Sequence, residues 1–130
     1  MSCLLDTHTL LWWFLDDPRL SKIALQTLED TKRLYWSPVN LWEIGLKMSG
    51  SGYREFQMPE RWDLQFPEMF ARFAITELPI RPTHCRRIQD LPFHHRDPFD
   101  RMLVAQAQDE QLAIISADEI FDAYGMKRVW

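Results

Sequence analysis

The chain has 130 residues, a formal net charge of −4 and a pI near 5.5, which is the length of one domain, and its 46% hydrophobic content supplies a core. That acidic balance excludes nucleic-acid binding through a broad basic surface, since counterion release needs clustered Lys and Arg. The amino terminus lacks the positive region of a signal peptide, and the apolar run Leu10 to Leu15 is far shorter than the ~20 residues of a membrane span, so no membrane contact is expected. Cys3 and Cys85 show neither zinc spacing nor a disulfide framework and suit a reducing, cytoplasmic setting.

Ser2 to Leu5 reads as a buried strand ending at Asp6, with a helix following through Leu15. Asp17-Pro18 breaks that helix and Ser21 caps the next, in which Ile23, Leu25 and Leu28 recur at roughly helical spacing. Leu34-Tyr35-Trp36 is a brief strand. Ser37-Pro38 starts a helix to about Met48, serine capping free amides and proline losing no hydrogen bond at the first helical position. Ser49-Gly50-Ser51-Gly52 is a loop too short to divide domains.

From Pro59 to Phe73 the pattern is helical but interrupted by Pro67, and Ile75 to Ile80 is a strand before a helix starting near Pro82. Asp97-Pro98-Phe99-Asp100 opens a further helix, with Asp97 as cap. Leu112 to Ile115 is a buried strand ending at Ser116-Ala117-Asp118, followed by a short helix to Tyr124, a stop at Gly125 and a last strand at Val129 and Trp130. Strands alternating with helices predict a single α/β domain over residues 1–130 with a mostly parallel sheet. The abundant aromatics, six Trp and eight Phe, are expected mostly to fill the core or an interface.

Functional groups in parallel sheets gather beyond the carboxyl ends of the strands, and Asp6 and Asp118 stand at two such ends. Each also suits a helix cap, so neither decides alone. Glu43 is expected on a helix face with Val39, Trp42 and Leu46, where an acid is costly unless paired or bound to metal. Lys47, one turn on, is its alternative ion-pair partner. Asp100 precedes Leu103, Val104 and Ala107 on one face; its alternative role is stabilising the helix dipole. Four acids together would make an oxygen-rich site for Mg²⁺, with Mn²⁺ as a substitute. A site centred on His94 and His95 competes less well, because adjacent loop residues usually point apart, and no glycine-rich phosphate loop is present.

Four blocks carry a family resemblance: Leu4-Leu5-Asp6-Thr7-His8, Leu41 to Lys47, His95 to Leu103, and Ile115-Ser116-Ala117-Asp118. In this order, over nearly the whole chain, they resemble the PIN-domain proteins of the VapC-like toxin class. The resemblance implies a three-layer α/β/α sandwich, with Asp6, Glu43, Asp100 and Asp118 as catalytic and metal-holding acids. Asp97, first a helix cap, and Ser116, where relatives often carry threonine, would support them; Asn40 stands where serine is common.

The implied activity is a metal-dependent endoribonuclease using an activated water and leaving 5′-phosphate and 3′-hydroxyl ends. Lys47, Arg96 and Arg101 are the nearby cations expected to assist RNA binding. The implied partners are a cognate antitoxin, which would cover an apolar groove that Trp12, Trp13 or Trp62 could line, and a second copy in a homodimer. Two other readings are a non-catalytic, receiver-like Mg-binding module, which gives Glu43 and Asp100 no clear place, and a phosphatase, for which Asp6-Thr7-His8 lacks a second aspartate two residues on.

Overall fold

The computed structural model describes residues 1–130. Its elements run β1 (Ser2–Leu5), α1 (Thr7–Phe14), α2 (Lys22–Asp30), β2 (Arg33–Trp36), α3 (Pro38–Met48), α4 (Trp62–Arg72), β3 (Ile75–Glu77), α5 (Pro82–Asp90), α6 (Pro98–Glu110) and β4 (Ala113–Ile115). A 3-10 turn at Glu119–Tyr124 and β5 (Arg128–Val129) complete the chain. The strands form one sheet in the order β3-β2-β1-β4-β5, and every neighbouring pair is parallel.

Side chains alternate across β1, so its apolar residues serve two cores. Cys3 and Leu5 join Leu10, Leu11, Ala24, Leu28, Phe66 and Phe70 from α1, α2 and α4 on one face. Leu4 and Ile114 meet Phe99, Leu103, Val104 and Ala107 of α6 on the other. Helices on both faces of a parallel sheet are the α/β/α sandwich expected. α3 gives Ile44 to the first core and Val39 to the second, straddling the carboxyl end of the sheet.

Local chemistry sets the helix starts. Ser37 Oγ accepts from Val39 N at 3.1 Å and Asn40 Oδ1 accepts from Ser37 N at 2.7 Å, opening α3. Ser21 Oγ accepts from Ala24 N at 3.0 Å, and Asp97 Oδ1 accepts from Phe99 N at 2.8 Å. Gly125, at φ 69°, ends the 3-10 turn in a left-handed conformation that costs glycine little.

Several expectations need correction. Pro67 does not interrupt α4, because burial of Phe66 and Phe70 on either side outweighs the one hydrogen bond proline forfeits. In α2 the buried stripe is Ala24 and Leu28, four residues apart on one face, while Ile23 and Leu25 on either side of Ala24 face solvent. β3 stops at Glu77, ahead of Pro79. Trp12, Trp13 and Trp62 are half-buried rather than exposed: Trp13 and Trp62 pack on the first core and Trp12 lies against Trp130 at 5.6 Å. Cys3 is buried and Cys85 exposed, both as free thiols. No helix is long and apolar enough to cross a membrane.

Candidate metal centre

The strand order turns at β1, with β2 on one side and β4 on the other. Where successive connections leave in opposite directions, the chain opens a crevice beyond the strand ends. Asp6 and Ser116 are the first residues past β1 and β4, and Ser116 Oγ donates to Asp6 Oδ2 at 2.6 Å across that crevice. Thr7 N donates to Asp6 Oδ1 at 2.8 Å, making Asp6 the cap of α1 as well as a member of the site.

Glu43 enters from α3. Its Oε1 accepts from Thr7 Oγ1 at 2.6 Å, and Thr7 is itself held by Asn40 Nδ2, which donates to Thr7 Oγ1 at 3.0 Å and to Leu5 O at 3.2 Å. Asn40 is fully buried and ties the end of β1 to α3. Glu43 therefore shares its face with Val39, Asn40 and Ile44, whereas Trp42 and Leu46, expected beside it, are 60% and 58% exposed. A helix wedged between two cores buries a narrow strip, so apolar residues on its outer side do not mark the buried face.

Asp100 comes from the first turn of α6 and meets His95 Nε2 through Oδ2 at 2.9 Å. The ligand atoms of His95, Asp97 and Asp100 lie within 4.8 Å of one another, the tightest grouping in the site. Asp118 is exposed and accepts from Ile120 N at 3.0 Å, capping the 3-10 turn.

Electrostatics join these groups. Burial lifts Asp100 to about 8, with the charges of Asp6, Asp97, Glu43 and Asp118 adding to the rise. Burial likewise lifts Glu43 to about 7, opposed by the Thr7 hydrogen bond and reinforced by Asp6 and Asp97. Asp6 is pushed up by desolvation and by Asp118, against its bonds to Ser116 and Thr7. Burial first and neighbouring negative charge second thus disfavour ionisation of Asp6, Glu43 and Asp100, which is the condition a multivalent cation relieves.

A family model described as PIN domain matches residues 3–127. The chain belongs to that family. No curated protein matches its sequence. Three complexes are among the solved structures that share its fold. VapBC2 from Rickettsia felis, bound to a DNA fragment from its promoter, is 11% identical with a TM-score of 0.67, covering 98% of this chain and 97% of that one. DNA-bound VapBC from Salmonella typhimurium is 14% identical with a TM-score of 0.68, covering 98% and 96%. FitAcB from Neisseria gonorrhoeae is 16% identical with a TM-score of 0.65, covering 97% and 95%.

Around this PIN-domain site the three expected cations divide. Lys47 is exposed, its Nζ 5.8 Å from the centre of the Tyr53 ring, and Arg96 is exposed in the loop before α6. Arg101 is not available to RNA. It is 6% exposed, donates to Pro92 O at 2.8 Å and Leu91 O at 3.2 Å, and stacks on Phe93 at 4.1 Å. His94 and His95 point apart as expected, His94 packing on Tyr124 at 4.9 Å. Thr7 and the His95–Asp100 contact are not legible as parts of the site in the sequence, and Asn40 shows there only as a departure from a common serine. Thr7, His95 and Asp100 lie inside blocks that stand out for their acids, whereas Asn40 lies just outside the block that begins at Leu41.

Proposed function

We propose that this PIN domain is a metal-dependent endoribonuclease and the toxin of a toxin–antitoxin pair, with Asp6, Glu43, Asp100 and Asp118 holding a divalent cation. The observation that supports the reading is that Thr7 links Asp6 to Glu43 at the end of β1 while His95, Asp97 and Asp100 gather within 4.8 Å of one another, and burial lifts Glu43 to about 7 and Asp100 to about 8. Carboxylate oxygens with one imidazole beside them suit Mg²⁺ or Mn²⁺ better than a thiolate-preferring ion. Family membership supports nuclease chemistry over a receiver-like module, which gives Glu43 and Asp100 no task.

A divalent ion in such a site supplies a lowered pKa for bound water and neutralises charge developing on a phosphate. The chain's own groups do the rest. Ser116 fixes the rotamer of Asp6, Asn40 and Thr7 fix Glu43, and His95 orients Asp100. Asp97 anchors the amino end of α6 and adds a carboxylate at the edge of the site. No Ser, Cys or His is placed as a nucleophile, so attack falls to water. Lys47 and Arg96 are the exposed cations able to meet the RNA backbone.

A cytoplasmic antitoxin partner and a homodimer extend the same proposal. Trp42, Leu46 and Phe93, at 60%, 58% and 83% exposure, offer apolar surface to such a partner. The test is cleavage of mixed RNA in Mg²⁺, Mn²⁺ or EDTA, with Asp6→Asn and Asp100→Asn purified in parallel. Metal-dependent cutting lost in both variants, with 5′-phosphate ends, is expected; 2′,3′-cyclic phosphate products would overturn the mechanism.

A further inference from the structure

Glu43 and Asp97 also face a cavity of about 430 Å³ whose other walls include His8, Lys47, Tyr53 and Phe99. The volume lies within the ~300–1,000 Å³ of ordinary ligand clefts, and it adjoins the carboxylates rather than standing apart from them. Lys47 is the only Lys or Arg in the lining, set against three carboxylates, the third being Glu55. A chamber so charged does not hold a phosphate chain. It suits a flat group that brings its own N–H donors.

Tyr53 supplies the flat surface. It follows Gly52, at φ 71°, in the irregular segment after α3. Phe56 buttresses its ring at 4.9 Å, and His8 meets it edge-on at 6.4 Å. Lys47 hangs over the ring at 5.8 Å, an exposed contact that a flexible side chain gives up easily.

We propose that this cavity is a nucleobase subsite. It takes one unpaired RNA base beside the phosphate at the carboxylates, stacks it on Tyr53, and favours amino-bearing bases, guanine first, over uracil. Sequence-specific RNA recognition works on unstacked bases laid on aromatic rings. The edge preference follows from donor and acceptor identity, because an ionised carboxylate only accepts. Guanine presents N1–H and N2–H side by side to the two oxygens of one carboxylate, whereas uracil sets carbonyl oxygens on both sides of a single N–H. Glu55, exposed and on the same segment as Tyr53, is the reader of that edge. The inference rests on the ribonuclease reading above.

The experiment is cleavage of a randomised single-stranded RNA pool in Mn²⁺, with product ends sequenced for wild type, Tyr53→Phe, Tyr53→Leu and Glu55→Gln, and Mn²⁺ affinity of each measured by titration. Wild type should enrich guanine at one position fixed relative to the cut. Tyr53→Phe should keep that preference, Tyr53→Leu should lose roughly tenfold, the size of a lost stack, and Glu55→Gln should shift the preferred base, all with Mn²⁺ affinity unchanged. Cutting without a base preference, or the same preference in all four proteins, would overturn the subsite alone. No metal-dependent cutting by wild type would overturn the nuclease reading and the subsite with it.

Discussion

Replacing Asp100 by asparagine removes a carboxyl that the metal-free fold holds at a cost. In the unfolded chain this group titrates near 3.8, and in the folded one near 8. The native state therefore binds the proton more tightly, and between those values it carries more protons than the unfolded state. Stability from this group is complete below 3.8, falls as pH rises through the interval, and levels off above 8. At about 1.4 kcal/mol per pH unit the full cost is on the order of 5 kcal/mol. Asparagine keeps the shape and an oxygen for His95 but carries no charge, so part of the cost returns as stability. Urea unfolding in EDTA should find Asp100→Asn more stable than wild type by about 2–5 kcal/mol at pH 9 and nearly equal to it at pH 4. Saturating Mg²⁺ should reverse the order at pH 9, since the ion stabilises only the protein that binds it well. A variant less stable than wild type at pH 9 in EDTA, or a metal-free wild type whose stability climbs from pH 4 to 9, would refute the reasoning.

Ser116→Ala frees one oxygen of Asp6 from its fixed direction, and Mn²⁺ titration should show affinity reduced about 10-fold with little change in fold, as for outer-shell partners of metal ligands. Asn40→Ala leaves Leu5 O and Ser37 N without a buried partner; chemical denaturation should register a loss of about 1–3 kcal/mol per unsatisfied group, accompanied by weaker metal binding because Thr7 no longer holds Glu43. Arg101→Met removes the donors to Leu91 O, Pro92 O and the Tyr124 hydroxyl, so its melting temperature should fall while the RNA affinity of the remaining folded protein stays level. Lys47→Met should do the opposite, preserving the melting temperature and flattening the salt dependence of RNA binding.

The sheet was legible because β1 and β4 are short apolar runs that stop abruptly at an acid or a serine, and a buried parallel strand has no other pattern. Asp6 and Asp118 came with those strand ends. Glu43 is legible for a reason only half right: the acid is on a packed strip of α3, but Trp42 and Leu46 are largely exposed, Leu46 meeting Glu43 only in the lining of the adjoining cavity. Apolar periodicity cannot separate residues that face a core from residues that face an open surface. Arg101 was misassigned because a cation near acids in sequence looks the same whether it points at solvent or at the carbonyls of Leu91 and Pro92. His95 ranks in the sequence only as half of a rival site with His94, because a loop histidine has no periodicity to betray that it folds back on Asp100. Asn40 was noted only as a departure from a common serine, whereas in space it joins β1, Thr7 and α3.

The Ser116–Asp6 contact has a bearing on how the chain holds together. It fastens the residue after the first strand to the residue after the fourth, so nearly the whole polypeptide lies between the two fastened points. A cation shared by Asp6 and Asp118 would strengthen that clasp, working as a reversible cross-link whose benefit grows with the length of chain it closes. Such a clasp cannot form on a nascent chain until the last strands have emerged and docked. The candidate metal site then gains its full set of side chains only once β4 has docked, and a truncated chain that lacks β4 loses Ser116 and Asp118 from it.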